Sequence, residues 1–113
     1  MTDERRISDR ANLKQDTVTV YDRNRETMVG TIANISETGF MLVSTEEIQP
    51  ESVFQFELQF SDRDINVQLG AVCLWNAEAG KAGVFWNGFH IIDISDQAQS
   101  QLQQVMQALL SAS

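Results

Sequence analysis

The sequence predicts a small all-β domain, a six-stranded antiparallel barrel followed by one C-terminal helix. Three observations lead there. Between Thr17 and Ile92, six short stretches rich in β-branched and aromatic residues are separated by turn-forming ones. From Ser95 onward the apolar residues recur with helical rather than strand spacing. At 113 residues and 42% apolar composition, the chain has enough material for one core and too little for two domains. The expected organisation is a single domain with an exposed, mobile arm over residues 1–12, a barrel over 16–92 and a helix over 95–111.

Thr17 to Tyr21 alternates as a strand, and Asp22-Arg23-Asn24-Arg25 reads as a turn. Thr27 to Ala33 completes a hairpin, with Met28, Gly30 and Ile32 expected on one side and Val29, Thr31 and Ala33 on the other. Asn34 to Gly39 interrupts before Phe40 to Val43. Val53 to Phe60 carries the clearest strand signal: Phe54, Phe56, Leu58 and Phe60 face one way, and Gln55, Glu57 and Gln59 the other. After the turn Ser61 to Asp64, Ile65 to Trp75 repeats the alternation, which puts Cys73 in the core and Trp75 on the same face. Ala77 to Lys81 is a turn and Gly83 to Ile92 the sixth strand, with Gly88 marking a bulge or a close approach of another backbone. In the helix, Ala98, Leu102, Val105, Met106 and Leu109 form one apolar stripe, and Ser95 is placed to cap it.

Cys73 is the single cysteine and His90 the single histidine, so neither an internal disulfide nor a Cys/His zinc set can be built, and a nucleophile-and-base enzyme has few parts to draw on. No apolar run approaches the ~18 residues that span a bilayer, and the charged amino terminus lacks the apolar centre of a secretory signal, so the expected location is the cytoplasm. The net charge of −8 is unevenly spread: residues 1–30 balance six bases against six acids, while the remainder sets Arg63 and Lys81 against ten acids. Such a body repels a long nucleic acid but leaves room for a small anion at a local arginine cluster.

That cluster is Arg5, Arg6 and Arg10. Arginine forks match phosphate oxygens and the O6/N7 edge of guanine, although three exposed arginines among Asp3, Glu4 and Asp9 also have an ordinary reading as a solvated tail. A second stretch, Asn34-Ile35-Ser36-Glu37-Thr38-Gly39, offers an amide, a hydroxyl and a glycine where a flat ligand can approach the main chain. Its ordinary reading is a turn with Gly39 at positive φ.

Arg6 and Arg10 with three residues between them, followed one hairpin later by Asn34-x-Ser36-x-x-Gly39, resemble the two-part signature of the PilZ domain family over essentially the whole chain. The resemblance implies a six-stranded barrel with a following helix. The implied ligand is the bacterial second messenger cyclic di-GMP, with no cofactor, no catalytic step, no DNA or RNA and no membrane insertion. It further implies that Arg6 and Arg10 grip phosphate and guanine with Arg5 assisting, and that Asn34, Ser36 and the backbone at Gly39 hold the other part of the ligand. Trp75 either stacks on guanine or packs in the core. Asn34 stands where the family uses Asp or Asn. Such a receptor signals to a downstream protein by drawing its arm onto the barrel. The alternative is a ligand-independent interaction module of the same fold.

Overall fold

The computed structural model describes residues 10–13 and 17–112. The strands are β1 (Ala11–Asn12), β2 (Val18–Asp22), β3 (Thr27–Ile35), β4 (Gly39–Ser44), β5 (Val53–Phe60), β6 (Ile65–Glu78) and β7 (Phe85–Asp93), and the helix is α1 (Asp96–Ala112). All pairings are antiparallel. Strands β2, β5, β6, β7, β4 and β3 pair in that circular order, so six strands close into a barrel and no long edge is left open.

The strand β1 lies outside that circle and pairs with β3, Ala11 opposite Ile35 and Asn12 opposite Asn34. The expected mobile arm over 1–12 is therefore corrected at its end: Ala11 is buried and the main chain is stitched to the barrel from that point. Residues 1–9, with Arg5 and Arg6, lie outside the described residues.

The alternation in β5 is borne out, and Phe56, Leu58 and Phe60 are fully buried. Inside the barrel Phe56 meets Phe54, Phe89 and Phe40 at ring-centroid separations of 5.1, 5.2 and 6.3 Å. Such offset and edge-on contacts add to the burial of the rings themselves. Ser95 caps α1 through its hydroxyl, which accepts from the Ala98 N–H at 3.1 Å, and the helix buries Ala98, Leu102, Val105 and Met106.

In β3 the two-residue period fails. The buried residues are Val29, Ile32 and Ile35, three apart, because pairing skips Val29 against β2 and Ala33 against β4. Each skipped residue is a bulge, and two bulges turn a period of two into one of three. The expected Met28/Gly30/Ile32 face is thereby overturned, and Met28 stands half exposed. The same device acts in β6, where Leu74 is skipped between the Cys73/Phe89 and Trp75/Gly88 pairs. Cys73 stays in the core, and burial pushes its thiol pKa up, which suits an inert side chain. Trp75 is turned to the outside, 45% exposed, against the inward placement that strict alternation gives.

The turn after β2 is held by charge. Asp22, 2% exposed, accepts from the Asn24 and Arg25 backbone N–H groups and from Arg25 Nε at 2.8 Å, while the rest of that guanidinium reaches Glu46. Burial pushes the Asp22 carboxyl up, but the Arg25 side chain and the two backbone donors more than offset this and leave its pKa below the usual value.

Candidate ligand-binding site

The register sets five residues side by side across the outer surface. Asn12 on β1 is opposite Asn34 on β3, Asn34 opposite Met41 on β4, Met41 opposite Gly88 on β7, and Gly88 opposite Trp75 on β6. With strands about 4.8 Å apart, this row spans roughly 20 Å. A recess of about 270 Å³ opens along it, lined by Arg10, Asn34, Met41, Leu74, Trp75 and Gly88 with the buried Phe40 and Phe89 beneath.

Arg10 and Asn34 are joined directly: the guanidinium donates from NH1 to Asn34 Oδ1 at 2.9 Å. The contact is possible because β1 runs alongside β3 immediately after Arg10. Among the described residues Arg10 makes no ion pair, so its charge is not neutralised, unlike that of Arg25. No hydrogen bond to a described residue engages the Asn34 amide nitrogen. At the far end, a Cβ on Gly88 would overlap the Trp75 indole around Nε1. Gly88 is therefore the floor on which the ring lies, a close approach by a side chain rather than by the expected backbone.

Ser36 and Gly39 are placed differently. Ser36 is buried, and its Oγ accepts from the Thr38 and Gly39 N–H groups at 3.3 Å while lying 3.2 Å from the Gly39 carbonyl it donates to. Its own N–H also bonds that carbonyl at 2.8 Å. Gly39 is buried, and a Cβ there would collide with the Phe89 carbonyl, so the glycine is required for β4 to approach β7. Positive φ among the described glycines occurs at Gly80 and Gly83, in the hairpin before β7, and not at Gly39. Neither Ser36 nor Gly39 lines the recess. They build the turn that aims Asn34.

Of the residues singled out from sequence, the structure thus brings Arg10, Asn34 and Trp75 to one recess and sets Ser36 and Gly39 behind it. Sequence reasoning missed Met41, Leu74 and the part Gly88 plays as a floor. The signal for Met41 was its place one residue after Phe40, and for Leu74 its place one residue after Cys73; the bulge that turns Trp75 out beside it leaves no mark on composition.

Fold and recess together define a small barrel domain with a surface recess shared among four strands and Arg10. Residues 4–108 match the family model of the PilZ domain, and the chain belongs to the PilZ domain family. Among solved structures it is similar to the PilZ domain with c-di-GMP of YcgR from Escherichia coli, at 15% identity and a TM-score of 0.71, covering 92% of this chain and 90% of that one. It is similar also to YcgR in complex with c-di-GMP from Escherichia coli (15% identity, TM-score 0.74), covering 92% of this chain and 45% of that one. A third likeness is to the Bacillus subtilis inhibitor of motility MotI/DgrA (15% identity, TM-score 0.70), covering 91% of this chain and 48% of that one. The chain spans about half the length of these last two proteins. No curated protein matches the sequence. No described helix is long and apolar enough to cross a membrane.

Proposed function

We propose that this chain is a cyclic di-GMP receptor, an effector without a catalytic step that presents a changed surface to a protein partner when the nucleotide binds. The observation that carries the reading is the joining of the two motif halves: Arg10 lies on Asn34 at 2.9 Å, in a recess whose other end is the Trp75 indole. Family membership and the nucleotide-bound YcgR structures support it.

In this reading Trp75 offers a face for a guanine to stack on, and the Asn34 amide and Arg10 fork supply the polar edge. Arg5 and Arg6 close on phosphate from the segment before Arg10. Ser36 and Gly39 act by holding the turn, with the main chain of the turn available to the ligand. Because Arg10 already rests on the barrel and β1 is paired, the segment from Arg10 to Asn12 needs no ordering when the ligand binds. At about 1–2 kcal/mol per ordered residue, that saving is substantial. The protein stays outside the membrane, binds neither DNA nor RNA, and works in the cytoplasm.

The test is isothermal titration of the intact chain with cyclic di-GMP, followed by NMR. The expected result is micromolar or tighter binding with shifts at Arg5 to Arg10, Asn34 to Gly39 and Trp75. Arg10→Ala is expected to weaken binding by roughly 10- to 100-fold, the loss of a charge-assisted hydrogen bond worth about 1.5–3 kcal/mol. Absence of binding by the intact chain would leave the interaction-module reading in its place.

A further inference from the structure

Five large apolar side chains stand exposed among the described residues, and four of them, Val53, Leu74, Trp75 and Ile92, lie on the outer face of the β5–β6–β7 sheet. Their placement is contiguous. Val53 is opposite Val72 and Val72 opposite His90, while Leu74 follows Val72 along β6 and Ile92 follows His90 along β7. Leu74 and Ile92 face outward by alternation from the buried Cys73 and Phe89, and each is skipped by the pairing. From strand geometry the apolar centre measures about 10 by 15 Å.

The rim is acidic. Glu51 is fixed beside Leu74 by the bond from its N–H to the Cys73 carbonyl at 2.7 Å, and Asp93 follows Ile92 at the opposite corner. Arg23 is a base near that corner, sharing a recess with Asp93 beyond Gly70, and Arg10 stands at the far side of the recess that Leu74 lines. The body that carries this face has ten acids against Arg63 and Lys81 after residue 30.

We infer that this face docks a protein segment that presents lysine or arginine around an apolar residue. Charge selects among the possible occupants. A twofold copy of the chain would set Glu51 and Asp93 against an identical acidic rim, and an anionic membrane would be repelled. The size points the same way, since an apolar centre this small suits a transient contact with one segment and falls far below a stable homodimer interface. Leu74 also lines the recess described above, so the docking face and the recess share an edge. The inference specifies the partner in the proposed function, and its test contains no nucleotide, so either idea can fail without the other.

The intact, isotope-labelled chain is titrated by NMR with two capped peptides, Lys-Leu-Lys-Leu-Lys and Glu-Leu-Glu-Leu-Glu. The expected result is shifts at 51–53, 72–74 and 90–93 with the lysine peptide alone, weakened by added salt. Val53→Gln combined with Ile92→Gln, both exposed and outside the recess, is expected to weaken that binding about tenfold while the melting temperature stays near the parent's. Equal binding of both peptides, shifts confined to other surfaces, or unchanged affinity in the double variant overturns the proposal. Self-association abolished by the double variant would overturn it in favour of a second copy, and retention on phosphatidylglycerol vesicles in favour of a membrane.

Discussion

Inside and outside of the barrel meet back to back along β4 and β7. Phe40 and Phe89 point inward and stack at 5.4 Å, while their neighbours Met41 and Gly88 line the outer recess. The inner rings are buried, Phe40 at 1% and Phe89 at 3% exposure. Of the outer ones Met41 is partly exposed while Gly88 is covered by the Trp75 ring, and Arg10, across the recess, carries a charge with no carboxylate partner among the described residues. Alternation along a strand therefore lets one backbone support a core on one face and a site on the other, so stability and recognition should separate between residues adjacent in sequence.

The sharpest way to break that contrast begins with the largest effect. Phe56→Ala, deep in the aromatic cluster one layer behind the Phe40 and Phe89 rings beneath the recess, is expected to cost about 3–5 kcal/mol in chemical denaturation, while the fraction still folded binds cyclic di-GMP with parental affinity. Gly88→Ala should do the reverse. The new methyl displaces the Trp75 indole, so nucleotide affinity is expected to drop about tenfold, as for a lost stacking partner, with a change in tryptophan fluorescence and little loss of stability. If this variant unfolds as readily as Phe56→Ala and its folded fraction binds normally, the separation of the two faces is wrong.

The smallest effect concerns Asp22, a structural charge far from the recess. Its folded pKa is depressed, so its contribution is present above the unfolded carboxylate value of about 4 and is lost as pH falls through the lower folded value. Asp22→Asn is expected to remove about 1 kcal/mol at neutral pH and to flatten that acid limb of the stability profile, without altering nucleotide affinity. A change in affinity would join the turn to the site and blur the contrast.

The arginine spacing and the Asn34-x-Ser36-x-x-Gly39 stretch were legible because they are local, and their resemblance to a family signature pointed at this recess. Their division of labour was not legible. Ser36 and Gly39 look like ligand contacts in a string of letters, but the first is buried holding its own turn and the second is needed for the Phe89 carbonyl to come close. Arg10 reads as part of a free arm, yet the two-residue strand after it ties it to Asn34. A two-residue pairing is too short to leave any periodic signal.

The class of fold was determined by the sequence alone: clean alternation in β5, a helical stripe after Ser95, and enough apolar residues for one core. Only the tertiary structure decided which face several residues take. Bulges at Val29, Ala33, Leu74 and Ile92 shift the register one residue at a time, and each shift moves the succeeding residues to the other side of the sheet. Trp75 reaches the recess, and Val29 the core, for that reason. A bulge is chosen by how neighbouring strands must bend to close the barrel, a requirement that belongs to the whole sheet and is written in no single stretch of chain.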